Sequence, residues 1–408
     1  MKNINTTLKA LSLSLLITPS VFAEINTGDF LKFSGIVTTR YEFRETDPLD
    51  PSHALTARAR VGLTLGEFNG FSAFVEGEGT QGIIEDYRSN PTGNDSTRPY
   101  VPGNSVIADP NNAELNQAYL KYDNEGFLVQ VGRQRIIRNS AAFIGNVGWR
   151  QNEQTFDAAQ IGYSKDKLSV SYVFSDRVQR IFGADANDAP PGPPLRDFEG
   201  DFHFFDLSYD TECGEVGGYA YLIDVDNNAA VGESNTFGAF IEANGFYGEI
   251  AYQDGSSSLV RGGDYDAMYG HLKYSTKAWG GTVMFGVEYL EDNFKTPFAT
   301  VHAFNGFADA FILQRIGLNK GPGGNYDGIT DFYVGYVKPG LPCGLTFKGS
   351  LHAFMDGDLD ATYGYEADAV LVKKINDNTS ALLKAAYFSG EDFYEDIKQV
   401  SVQLDYKF

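Results

Sequence analysis

Twelve of the fifteen arginines in this chain stand between Arg40 and Arg180, and only Arg196, Arg261 and Arg315 follow. Arg40 with Arg44, and Arg58 with Arg60, keep even spacing, so each pair holds one face of an extended strand. Arg133, Arg135, Arg138 and Arg150 belong to the end of a later strand and the connection after it. A guanidinium stays charged and offers a planar fork that can grip a carboxylate through two parallel hydrogen bonds. A crowd of such forks on one arc of wall would pass an anionic chain from site to site. The plainer reading is that they pair with carboxylates such as Glu42, Glu76, Glu78 and Glu114 and merely satisfy a polar interior. Arg133 and Arg135 also share parity with Val129 and Val131, so a bulge or the strand's end has to re-aim them.

Catalytic chemistry has little to stand on. His53, His203, His271, His302 and His352 are scattered, with no pair at metal-ligand spacing, and there is no G-x-S-x-G elbow. No enzyme activity and no cofactor are expected. The aspartates at 356, 358 and 360 form an incomplete calcium loop and read as a solvated turn.

The elements that must position the arginines are strands. At the C-terminus Val400, Val402, Leu404, Tyr406 and Phe408 alternate with Gln399, Ser401, Gln403, Asp405 and Lys407, the pattern of a strand with lipid on one side and water on the other. From Phe33 onward, two-faced runs of about ten residues recur. In the first, Phe33, Val37, Tyr41 and Phe43 oppose Ser34, Thr38, Arg40, Glu42 and Arg44. Charges keep to one parity, and because a charge in mid-bilayer costs a few kcal/mol that parity must be the lumen. The breaks alternate between tiny (66–70, 123–126, 165–167, 210–215, 243–245, 275–280, 338–344, 375–378) and long (among them 81–112, 136–154, 177–199 and 291–327). They define eighteen antiparallel strands with short periplasmic turns and long extracellular loops: an all-β transmembrane β-barrel. The runs 214–225 and 328–337 fit least well, being apolar on both parities.

The rest of the chain agrees. Lys2 and Lys9 precede an apolar run from Ala10 to Ile17, followed by Pro19, Ser20 and Val21-Phe22-Ala23, which reads as a secretory signal over 1–23; a periplasmic lead at 24–30 and a single barrel domain at 31–408 follow. No apolar run reaches the roughly 20 residues of a spanning helix. The 45 glycines and 14% aromatic content suit turns, crowded lumens and interfacial girdles, whereas a secreted β-sandwich would not segregate loop length so regularly. A net charge of −22 argues against nucleic acid as a partner. Cys213 and Cys343 fall on turns six strands apart, too far to bridge. The proline-rich stretch 189–194 reads as an exposed spacer inside a long loop.

A resemblance enters at Gly132-Arg133-Gln134-Arg135-Ile136, followed by G-N-V-G-W-R-Q-N at 145–152 and by Thr155-Phe156-Asp157. These segments, with H-A-F-N-G-F-A-D at 302–309, resemble the signature of the alginate-export family of bacterial outer-membrane porins. The resemblance implies an eighteen-stranded barrel in the bacterial outer membrane, with loops folded into the pore and an arginine-rich constriction conducting an anionic polysaccharide or oligosaccharide. Gln134 and Asp157, standing in those motifs, join the arginines as pore-lining candidates. The expected partners are outer-membrane lipid, lipopolysaccharide, the anionic solute, and periplasmic secretion or uptake proteins. A general or small-anion and sugar porin, an outer-membrane enzyme, and a closed structural barrel are the alternatives.

Overall fold

In the computed structural model, residues 23–26, 30–91, 97–186, 196–318 and 327–408 are described; the expected signal segment, but for Ala23, and the proline-rich stretch lie outside them. A short strand, β1 (Ala23–Asn26), pairs with the start of β2 (Leu31–Thr46), so part of the expected lead is attached to the barrel. The staves continue as β3 (Ser52–Phe68), β4 (Phe71–Asp86), β5 (Asn112–Asn124), β6 (Phe127–Gln134), β7 (Thr155–Lys165), β8 (Leu168–Gln179), β9 (Asp197–Asp210) and β10 (Gly214–Val225). The second half comprises β11 (Glu233–Ala243), β12 (Phe246–Ser256), β13 (Asp264–Ala278), β14 (Gly281–Leu290), β15 (Ile329–Leu341), β16 (Leu345–Met355), β17 (Thr362–Lys374), β18 (Thr379–Gly390) and β19 (Ile397–Lys407). Each is antiparallel to its neighbours, and β19 pairs with β2 to close an eighteen-stranded barrel. Gly35 and Phe408 exchange backbone hydrogen bonds of 2.9 and 3.0 Å at the seam.

All eight short breaks fall where the alternation lapses. Four are two-residue hairpins with both residues at positive φ: Asn69-Gly70 (51°, 84°), Glu125-Gly126 (49°, 87°), Asn244-Gly245 (53°, 84°) and Trp279-Gly280 (49°, 71°). That backbone matches the right-handed twist of the flanking strands, with glycine taking the second left-handed position at no steric cost. Cys213 and Cys343 lie on separate turns as free, exposed thiols.

Side-chain burial confirms which parity is which. On β2, Ser34, Thr38, Arg40, Glu42 and Arg44 are all buried, whereas outward residues such as Leu120, Ile250 and Val402 are half or more exposed. The strands with two apolar faces also find their explanation: on β10, Tyr219, Tyr221, Ile223 and Val225 are buried on the lumen side, and on β15 so are Tyr333 and Val337. The inner face of β10 meets Phe143, carried in by a loop, and Tyr333 of β15 packs on His271 and His352 of the wall. A lumen is polar only where water fills it.

Candidate pore site

Two long connections enter the barrel and bind each other there. Between the 135–154 loop and the 291–328 loop, Gly145 N–H donates to Phe298 O at 2.8 Å and Thr300 N–H to Ala141 O at 3.0 Å. Gln154 Nε2 donates to the carbonyls of Gly145 (2.8 Å) and Phe298 (3.0 Å). Apolar burial seats both loops on the wall. Phe298 is enclosed by Phe156, Phe198, Phe202 and Phe204 of β7 and β9. Phe143 packs on Tyr219, Tyr221, Tyr269 and Phe294. Phe311, just before the single helical turn α1 (Ile312–Arg315), sits among Phe354, Tyr363, Phe388 and Tyr394.

Around this plug the arginines of β2 and β3 converge as their parity requires, but most are already matched. Arg40 reaches Asp109 (2.6 Å) of the 87–111 loop and Glu42 (3.5 Å), with its guanidinium 4.5 Å from the Trp149 ring centroid. Arg150 lies between Glu42 (3.1 Å), Asp109 (3.7 Å) and Asp309 (3.4 Å). Arg60 pairs with Glu78 and, at 3.5 Å, with Glu153, which also pairs with Arg135. Burial alone would raise the Glu153 carboxyl, but Arg135 and Arg60 outweigh it and hold the group below the usual carboxylate range. Arg44 and Arg58 differ. Arg44 donates to Gln399 Oε1 (2.9 Å) and Ala308 O (2.8 Å); Arg58 donates to Thr38 Oγ1 (2.8 Å) and Gln151 O (3.2 Å). Among the described residues neither has a carboxylate within 4.0 Å.

A latch ties the plug to β18, two staves from β2. Lys384 of β18 places its ammonium 4.0 Å from the ring centroids of both Trp149 and Phe307, and it contacts His302 Nε2. His302 stacks on Trp149 (5.1 Å, 7°) and reaches Asp309 through Nδ1 at 2.8 Å. Neutral histidine with its proton on Nδ1 donates to Asp309 and accepts from Lys384, which satisfies all three groups. The segments 145–152 and 302–309, about 150 positions apart in sequence, thus form one cluster.

Several expected pore residues sit elsewhere. Arg133 keeps lipid-side parity and forms a two-pronged pair with Asp157 across β6 and β7 (2.7 and 2.9 Å), so neither belongs to the lumen; the strand's end re-aims Arg135 alone. Gln134 is buried and spends its amide on Gly132 O (3.2 Å) and Ala158 O (3.0 Å). Arg138 pairs with Asp206 of β9 (3.3 Å), away from the cluster. Replacing Arg133 by Gln is therefore expected to leave ion selectivity unchanged, as read from the reversal potential in a salt gradient; a shift toward cations would return Arg133 to the conduction path. Lys384, Asp109 and Glu153 escaped sequence reasoning, while Trp149 and Asp309 stood in the quoted motifs without being named as site residues. Only Lys384 carried a local signal, as a lone charge between Leu383 and Ala385.

A cavity of about 280 Å³ lies among the loops. Its lining is largely apolar, including Leu49, Val106, Phe182, Val301, Leu313 and Ile397, and its charged members include Arg44, Arg150 and Asp309.

Residues 30–180 match the family described as alginate export. In fold, the chain is similar to OpdK of Pseudomonas aeruginosa, solved with vanillate (TM-score 0.65, 13% identity, 92% of this chain and 98% of that one). It is similar also to OccAB4 of Acinetobacter baumannii (0.64, 13%, 95% and 99%) and to OccK8 (OprE) of P. aeruginosa (0.63, 12%, 93% and 99%). No curated protein is significantly similar in sequence. Residues 30–180 are thus similar to the alginate-export family, and the chain as a whole shares the closed-barrel fold of these outer-membrane proteins.

Proposed function

We propose that this porin passes anionic solutes, foremost acidic polysaccharides or oligosaccharides of the alginate type, past Arg44 and Arg58. The observation that carries this reading is that these two members of the arginine cluster, buried and donating to neutral groups such as the Ala308 and Gln151 carbonyls, lack a carboxylate partner among the described residues, so their positive charge is left uncompensated at close range beside the path of a passing anion. Arg40, Arg60, Arg135 and Arg150 are matched by carboxylates and shape the constriction by holding the loops. The family match over residues 30–180 supports the same cargo class.

A second reading, a small amphiphilic carboxylate, draws on the largely apolar cavity beside Arg44 and Arg150 and on OpdK, whose structure contains vanillate. In planar bilayers, block by long oligouronates but not by neutral sugars of equal length supports the first reading, and competition by vanillate alone supports the second. The Arg44→Gln/Arg58→Gln double variant is expected to shift the reversal potential toward cations and to weaken oligouronate block about tenfold, in line with the roughly 1.4 kcal/mol that two partly screened charge contacts supply. Unchanged selectivity and block would overturn the assignment.

A further inference from the structure

The inner wall on the far side of the barrel carries a second basic surface, built from lysine. Lys273 and Lys277 on β13 and Lys348 on β16 all have lumen parity. Across the ladder they face Gly286, Thr282 and Val337 respectively. A groove of about 690 Å³ at the short-turn rim is lined by Lys277, Thr282, Val337, Thr346 and Lys348 among others. Deeper in, a small cavity of about 50 Å³ shares Lys348 and Val337 with that groove and reaches Gly306 and Phe307 of the plug. Lys277 and Lys348 therefore stand along a continuous strip of wall from the short-turn mouth to the underside of the 291–328 loop, with Lys273 four residues deeper on β13.

Two features separate this strip from the arginine cluster. Lys277 donates to the Thr282 hydroxyl at 2.8 Å, and the Lys273 ammonium sits 4.9 Å from the Tyr247 ring centroid. Among the described residues neither has a carboxylate within 4.0 Å, in a chain whose acidic residues outnumber its basic ones by 54 to 32. A lysine ammonium is also a compact charge with rotating donors on a flexible stem, able to follow a moving anion, whereas an arginine fork fixes one in place. Beside Lys277 and Lys348 the lumen-parity positions Thr282, Thr346 and Ser350 are small, which leaves these two side chains room toward the bore, whereas Lys273 is buried against Tyr247 and contributes its charge from within the wall.

The geometry points to a second anion-binding site at the short-turn mouth, formed by Lys273, Lys277 and Lys348, which engages the carboxylates of an acidic saccharide as it crosses between the periplasm and the lumen. It rests on the reading of the cargo as anionic and adds a place at which that cargo is first held. A flexible cationic strip at the mouth raises the local concentration of anions and steers their entry, so its effect belongs to the rate of capture from that side.

The test is sided block in planar bilayers with uniformly oriented channels, using an oligogalacturonate and a neutral maltooligosaccharide of equal length as probes. For the Lys273→Met/Lys277→Met variant, the association rate of oligogalacturonate block from the short-turn side is expected to fall about fivefold or more, while block from the long-loop side stays within about twofold. The Lys273→Arg/Lys277→Arg variant, which keeps the charge, is expected to restore capture and guards against misfolding as the cause. Equal change from both sides, no change from either, or an unmodified channel that the acidic probe blocks from the long-loop side only, would overturn the site while leaving the anionic cargo standing. Failure of the acidic probe to block the unmodified channel from either side would overturn both.

Discussion

Arg150→Gln is expected to release the plug, giving a larger and noisier single-channel conductance from a barrel that still inserts and still resists heating in detergent. Arg150 is buried between Glu42, Asp109 and Asp309 at 3.1, 3.7 and 3.4 Å, and these residues belong to β2, the 87–111 loop and the 291–328 loop. Burial by itself would lower the guanidinium's pKa, but the three carboxylates outweigh it and raise the group above its ordinary value. Removing one partner of a buried ion cluster costs about 3–5 kcal/mol, because the remaining charges are left desolvated and uncompensated. That cost falls on the docking of loops rather than on strand pairing, whose backbone ladder does not involve the side chain. Arg150→Lys is expected to recover part of the quiet conductance, since it restores the charge but not the fork. An Arg150→Gln channel with unchanged conductance and noise would mean that the remaining contacts hold the plug without this ion cluster.

Acidification is expected to loosen the same plug through His302. Burial, together with Lys384 and Arg150 and against the opposing pull of Asp309, pushes the imidazole from 6.5 down to about 3. The groups facing it are Asp309 on its own loop, Lys384 on β18, Arg150 on the 135–154 loop, and Arg44 and Glu42 on β2 behind them. A released, solvated His302 would bind a proton near its ordinary value, so between pH 6.5 and 3 the undocked state takes up more protons than the docked one. The His302 contribution to docking is therefore fully present above pH 6.5 and is lost as pH falls toward 3. Asp309, held below the usual carboxylate range against the effect of its burial by His302 and Arg150, adds a loss of the same sign at lower pH. Gating noise recorded from pH 7.5 to 4 should rise in the unmodified channel. In a His302→Gln variant that step should flatten, since the amide cannot take up the proton; an identical pH response in the variant would assign the titration to another group.

The barrel itself was legible in the chain because every stave lies between lipid and lumen, and that boundary imposes a period of two on the residues in contact with it. All eight short turns, the closing strand 397–407 and the lumen parity of Arg40, Arg44, Arg58 and Arg60 follow from that local rule. The rule weakened on β10 and β15, where inward aromatic and aliphatic groups looked like a second lipid face. On β10 those residues are apolar because the loop aromatic Phe143 lies against Tyr219 and Tyr221, and on β15 Tyr333 packs on His271 and His352 of neighbouring staves; no local pattern announces such contacts.

The site was less legible for the same reason. Parity brought the arginines to the lumen but could not say which carboxylate each would meet: Asp109 for Arg40 comes from a loop 69 positions away, and Asp309 for Arg150 from one 159 positions away. Arg133 shows the limit in the other direction, since its parity correctly denied it a place in the lumen, and the motif in which it stands suggested one. A strand's two faces are settled residue by residue by the solvents on either side of it. Which arginine is neutralised, which stays available to an anion, and where Lys384 finds its aromatic seat were decided only when the 135–154 and 291–328 loops folded into the barrel, because those energies belong to pairs that nothing but the closed tertiary structure brings together.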